Sequence, residues 1–325
     1  MHTWIIEPEA KRKANIAEHA PSIKSRAASI PRAHNITMPP STSHGDFPEN
    51  QPGNQSAIGV SNSKELSDVH QALPESTHAE RWRFLADRNG DSKSAIEKLR
   101  NYLDWRSRHC DDDVTHLDPW TYATRMALQA GNNGDSKTKS AHKADTTTKL
   151  PCTLFMLEHE QSAVSGNSND TSVVKKKYLQ HLPARIDTKL ANTSVYALAL
   201  AIYIDCALDR ASTEKVTLVI DVRSGYGWAN IKAFHLLPFI QSTVRLLCDL
   251  HPLRLERCVI FPVPTVANFL WKAVKPFLGK DTVEKVCLVS GSAGTNDGVP
   301  EKMNKYLDND LMKKFEEKRT SCFSK

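Results

Sequence analysis

Chemistry is first conceivable in this sequence at two glycine-bearing turns. SGYGWAN, residues 224–230, places Gly225 and Gly227 after an apolar run and nearly matches the G-x-G-x-x-G turn that seats a pyrophosphate on a helix N-terminus. Asn230 stands where a third glycine would let the helix come close, and the next apolar run ends in Pro262, Val263 and Pro264 instead of a ribose-binding acid. A flexible strand-to-helix turn is the better reading, and a nicotinamide-dependent oxidoreductase resting on these glycines ranks third among the functions considered. SGSAGTNDG, residues 290–298, has Gly291, Gly294 and Gly298 but no Lys-Ser/Thr pair to neutralise phosphate. It reads as a loop. No G-x-S-x-G elbow, H-E-x-x-H pair or C-x-x-C pair occurs. Glu158, His159 and Glu160 alternate along a strand edge and cannot converge on a metal. Asp221 closes an apolar strand, a position where α/β enzymes often carry an acid; with no base nearby in sequence, a capping or turn role fits better. Lys175, Lys176 and Lys177 form the sharpest basic run, either a solvated loop or a contact for anionic headgroups at about 1 kcal/mol per charge. No catalytic residue and no metal ligand is assigned.

The elements that must position these residues fall into two regimes. Residues 1–78 are rich in Pro, Ser, Asn and Gly and read as a disordered leader. Residues 79–110 place Ala95, Leu99, Tyr102 and Leu103 at helical spacing behind an N-cap at Asp91, which predicts a small helical lobe. Residues 111–149 turn polar again and read as a loop or insertion. From residue 150 the pattern becomes α/β, with strands expected at 153–157, 216–222, 258–263 and 286–289 and helices at 195–208, 229–250 and 265–275. Pro238 should kink or split the second of these helices. The helix at 265–274 is apolar almost all round, so it must be buried on two sides or face something apolar that is not protein. Residues 301–325 read as a charged amphipathic helix and tail with Met303, Leu307 and Leu311 on one side.

Composition narrows the function classes. The 325 residues are 40% hydrophobic and 25% charged, which suits a globular core. A formal charge of +6 without dense Lys/Arg patches argues against nucleic acid as a partner. Seven scattered cysteines fit neither a disulfide framework nor a zinc ribbon and read as reduced thiols in the cytosol. No stretch reaches the roughly 18 apolar residues of a membrane span, and Glu7 and Glu9 interrupt any signal-peptide pattern, so a soluble protein is expected.

Two blocks together resemble the CRAL-TRIO family, which includes the secretory phosphatidylinositol/phosphatidylcholine exchange proteins and the retinaldehyde and tocopherol carriers. The first is RWRFLADRNGDSKSAIEKLRNYLDWR, similar to the family's N-terminal lobe. The second runs through VIDV, HPLRLERCVIFPVP, KPFL and TVEKVCLV in the family's order and spacing. The resemblance implies an α/β fold over residues 150–300: a mostly parallel sheet flooring a lipid cavity, helices as walls, and one mobile helix as a gate. On that implication Val266, Phe269, Leu270, Trp271 and Val274 form the gate and cavity, while Arg88, Arg254 and Lys285 hold a headgroup phosphate. Leu253 departs from the family's headgroup-binding acid and Asn89 from a basic residue, and the usual Leu-Pro and Gly-Gly close of the domain is missing. The implied function is a cytosolic, monomeric lipid-binding and lipid-transfer protein. It would do no covalent chemistry, need no cofactor beyond its lipid, and meet membranes transiently. The rival is a scaffold of the same fold with a filled cavity, binding a protein such as a small GTPase.

Overall fold

The structure, a computed structural model, describes residues 63–110, 117–133, 149–164, 171–225, 233–263, 268–292, 294 and 298–323. Helix α1 (Ser63–Ala72) lies inside the stretch expected to be a disordered leader, whose residues 1–62 lie outside the described residues. Leu66, Val69 and Leu73 recur at helical spacing within a polar, Ser-containing stretch, and Val69 and Leu73 are buried in the main core. Helix α2 (His78–Asp87) starts at a capping box, the Thr77 hydroxyl accepting from the Glu80 N–H and the Glu80 carboxylate from the Thr77 N–H. Helix α3 (Ser92–His109) is capped by Asp91, as its sequence predicts. Helix α4 (Pro119–Asn133) lies inside the stretch expected to be a polar loop. Asp118 caps it, and Trp120, Ala123, Ala127 and Leu128 form a buried stripe that the polar residues on either side obscure. The GNNGDSKTKSAHKADTTTK segment lies mostly outside the described residues.

Among the described residues, five strands form one sheet in the order β1-β2-β3-β4-β5: β1 (Leu154–Val164), β2 (Thr171–His181), β3 (Val216–Asp221), β4 (Leu255–Val263) and β5 (Val286–Ser290). β1 and β2 are an antiparallel hairpin running from Leu154↔His181 to Val164↔Thr171, and the remaining pairs are parallel. β2 is a strand that sequence pattern did not reveal, because the three lysines there suggest solvent. In the sheet each lysine meets a carboxylate: Lys175 with Glu160 at 3.6 Å, Lys176 with Glu256 at 3.5 Å and Lys177 with Glu214 at 3.0 Å. The run lies in a strand, not a loop, and its lysines find carboxylates on β1, on β4 and just before β3.

Parallel neighbours taken in chain order, joined by right-handed crossovers, put their connecting helices on one face. α5 (Thr193–Ala207) is apolar except for its first turn and Asp205 and packs against α4 and α6, with Asn192 as N-cap to Val195. α6 (Ala233–Leu250) crosses the same face, where Phe239 stacks on His181 of β2 with ring centroids 5.7 Å apart. Pro238 does not split α6; it lies near the helix start and its ring is exposed, so a single solvent-side bond is lost. α7 (Asn268–Val274) packs beside α6, followed by a 3-10 turn (Lys275–Phe277) and α8 (Lys280–Glu284). No described helix is long and apolar enough to cross a membrane.

The C-terminal stretch covers the opposite face. It comprises a 3-10 turn (Glu301–Lys305) and α9 (Asn309–Phe323), separated where Asp308 accepts from the Leu311 N–H at 2.8 Å. Met303, Leu307, Leu311 and Phe315 pack onto Tyr178, Val219, Val259, Phe261 and Val289.

Candidate functional site

Strand alternation gives each face of the sheet its own set of residues, and the two sets are buried to different degrees. Under α9, Val219, Val259, Phe261 and Val289 are 1, 0, 2 and 2% exposed. On the face shared with α6 and α7, the next residues along the same strands form two rows, Leu218–Cys258–Val286 and Ile220–Ile260–Leu288. Five of these six are only half-buried, Cys258 being the exception. Half-buried Leu237 and Val244 lie on α6, and α7 contributes half-buried Trp271 and buried Val274. Such a floor of mostly aliphatic side chains suits hydrocarbon. Val266 lies outside the described residues, and only the backbone of Phe269 and Leu270 is described.

The three expected headgroup cations have different surroundings. Lys285 ends α8 immediately before β5, and its carbonyl accepts from the Cys258 N–H at 2.9 Å, so its main chain is tied to the floor. Its amine is half-buried and its pKa is lowered, first by burial and then by the charge of Lys215, against the opposing pull of Asp281. Arg254 is buried, donating to the main-chain carbonyls of Glu214 at 2.8 Å and of Asp209. It thereby fastens the α5–β3 loop to the start of β4. Arg88 caps the end of α2, exposed, with Asp87 at 3.3 Å. The two family departures both sit in left-handed backbone. Asn89 has φ 51, a conformation that Asn tolerates better than most residues, and Leu253 has φ 59, where a Leu is strained.

Asp221 is a structural carboxylate. It receives the Arg223 N–H at 3.0 Å, the Arg223 guanidinium at 2.9 and 2.7 Å, and Arg319 at 3.2 Å, while Arg223 also pairs with Glu316. These two arginines tie β3 to α9. Gly225 has a steric reason to be glycine: a Cβ there would fall 2.1 Å from Cε1 of Phe323 at the end of α9. The nucleotide-like turn thus reflects close docking of the last helix, with Gly227 and Asn230 outside the described residues. His159 Nε2 meets Asp308 at 2.7 Å, while Glu158 and Glu160 are exposed beside a polar cleft of about 500 Å³. Among the described residues no group of His, Cys, Asp or Glu is placed to hold a metal.

Sequence reasoning missed a buried polar seam joining the N-terminal helices to the sheet domain. Tyr102 donates to Asp205 at 2.7 Å, Arg106 reaches Asp205 at 3.1 Å, Arg210 pairs with Glu80 at 2.7 Å, and Arg83 donates to the Ser212 carbonyl at 2.6 Å. Burial and then the Asp205 charge push the Tyr102 hydroxyl up. The legible signal was Asp205 itself, a carboxylate near the end of an otherwise apolar helix.

Residues 178–316 match the family model of the CRAL/TRIO domain. This segment is similar to a CRAL/TRIO domain. The match runs from β2 into α9 and includes the floor, α6 and α7. CRAL/TRIO domains form a family of lipid-binding and lipid-transfer proteins. No curated protein matches the chain. The crystal structure of Sfh5 is similar, with a TM-score of 0.40 and 13% identity over 78% of this chain and 72% of that one.

Proposed function

We propose that this chain takes one lipid, phosphatidylinositol or another phospholipid, from a membrane into the space between the β3–β5 floor and α6, with α7 as the gate. The observation that supports this most is the unequal burial of the two sheet faces. One is sealed by α9, while the other keeps its Ile, Leu and Val half-open beneath an apolar helix. Each CH₂ buried there contributes about 0.8 kcal/mol, offset by an equal loss from the bilayer, so net affinity falls to the headgroup. Lys285 is the leading phosphate contact because burial, and then the charge of Lys215, disfavour its ammonium form despite Asp281, and a phosphate would supply the missing anion. Arg254 would position the neighbouring loop, and Arg88 would supply an exposed cation. The protein would act without covalent chemistry, as a cytosolic monomer that visits membranes.

The test is native mass spectrometry of protein purified from cells, followed by phospholipid exchange between vesicles. The expected result is one lipid per chain, with exchange weakened several-fold in Lys285→Ala, restored in part by Lys285→Arg, and a melting temperature shifted by no more than a degree or two. A lipid-free protein that exchanges nothing would sink the proposal and favour the scaffold that binds a protein partner. An equal loss of exchange and stability in Lys285→Ala would make the lysine structural.

A further inference from the structure

The polar seam opens on one side into a cleft of about 670 Å³, the size of a small-molecule site. Arg106 and Arg108 line it from the C-terminal half of α3, and Arg210 from the turn after α5. Three guanidinium groups therefore border one space. The carboxylates that fix two of them are sealed behind. Arg106 reaches Asp205 at 3.1 Å, and Arg210 grips Glu80 through two bonds at 2.7 and 3.1 Å. The Asp205 and Glu80 side chains are 2 and 0% exposed, against 18 and 27% for their arginines. Arg108 is exposed, its Nε donating to the Asp104 carbonyl at 3.0 Å, and among the described residues it has no carboxylate partner. The seam behind adds to the imbalance. Arg83 and Arg254 are buried and donate only to main-chain carbonyls, those of Ser212, Glu214 and Asp209, and Arg83 Nε has no partner. Among the described residues, Arg83, Arg106, Arg210 and Arg254 thus share two buried carboxylates, Glu80 and Asp205.

We propose that this cleft binds a phosphate group carried by a small organic molecule, held between Arg106, Arg108 and Arg210. Guanidinium forks match phosphate oxygens, and a dianion would offset the surplus positive charge of the seam. Leu103 and Met126 line the same cleft and give the organic part an apolar wall. Exposed Glu75 is the one acid lining it among the described residues, and its repulsion limits affinity. The cleft shares no residue with the proposed lipid space, so it stands whether or not that space takes a lipid. A soluble phosphate ester and a phosphatidic acid headgroup both carry the required chemistry.

The experiment titrates the full chain with phenyl phosphate by calorimetry at fixed ionic strength. In parallel it measures co-sedimentation with phosphatidylcholine vesicles that contain or lack phosphatidic acid. Saturable binding in at least one arm is the expected result; the first arm alone names a soluble ester, the second alone a headgroup. Arg108→Ala should weaken that binding several-fold without moving the melting temperature by more than a degree or two, because the side chain is exposed. Arg108→Lys should restore only part, since the fork is lost. Glu75→Gln should tighten binding several-fold, a gain that misfolding cannot produce. Failure of both arms, or an unchanged affinity in either Arg108→Ala or Glu75→Gln, would overturn the proposal.

Discussion

His181 shows what a single buried side chain does to this fold. It sits in β2 beneath Phe239, its Nδ1 donating to the Thr153 carbonyl at 3.0 Å and its Nε2 without a partner, and burial lowers its pKa to about 4. Because the folded value lies below the unfolded one, near 6.5, the imidazole contributes stability in full above about pH 6.5. That contribution is lost as pH falls toward 4, at most about 3 kcal/mol over the interval. Urea unfolding at a series of pH values should show this decline, and His181→Phe should flatten it; an unchanged slope would mean another group carries the acid sensitivity. His251 and His109, also lowered by burial, act in the same direction. Residue roles like this were hard to read in advance. Asp221 was expected in a capping or turn role and accepts the Arg223 N–H two residues on, but Arg319, its second arginine partner, is far away in sequence and meets it only in the fold. Asn89 and Leu253 were visible as departures, whereas their left-handed backbone was not.

At the scale of elements, sequence pattern succeeded where one period dominated. β3, β4 and β5 are continuous apolar runs, and α5 is apolar along most of its length, so burial on both sides was legible. α1, α4 and β2 were missed because their buried residues are diluted by polar neighbours that find partners only in the fold, as the lysines of β2 do with Glu160, Glu214 and Glu256. The C-terminal helix was legible as amphipathic, but its docking face was not, since that depends on the mate of Gly225. A side chain at Gly225 would collide with the Phe323 ring, so Gly225→Ala should destabilise by about 1–3 kcal/mol. Phe323→Ala should cost about 3 kcal/mol or more through lost burial. In the double variant the added methyl meets no ring, so the two costs should fall well short of additivity in denaturant unfolding. Strict additivity would show that α9 does not dock through this pair.

For the molecule as a whole, the decisive feature is that one sheet serves two different neighbours. α9 and the turn before it seal one face with Met303, Leu307, Leu311 and Phe315, and the ion pairs from Arg319 to Asp221 and from Arg223 to Glu316 hold that lid in place. The other face packs against α5 and α6 but leaves Ile220, Ile260, Val286 and Leu288 half-open. A solid protein core would make adjacent residues of β4 equally sensitive to truncation, whereas a lipid floor would not. Val259 and Ile260 are neighbours in the chain that point to opposite faces, which makes them a matched pair. Val259→Ala should cost about 2 kcal/mol in unfolding free energy, because Val259 is fully enclosed, and leave bound lipid unchanged. Ile260→Ala should cost well under half of that while lowering the fraction of chains that carry lipid, read by native mass spectrometry. Ile260→Trp should lower it further by occupying the space itself. Equal destabilisation by the two alanine substitutions, with lipid content unaffected by either, would mean that α6 and α7 close on the sheet as ordinary core, and that the ligand, if any, lies elsewhere.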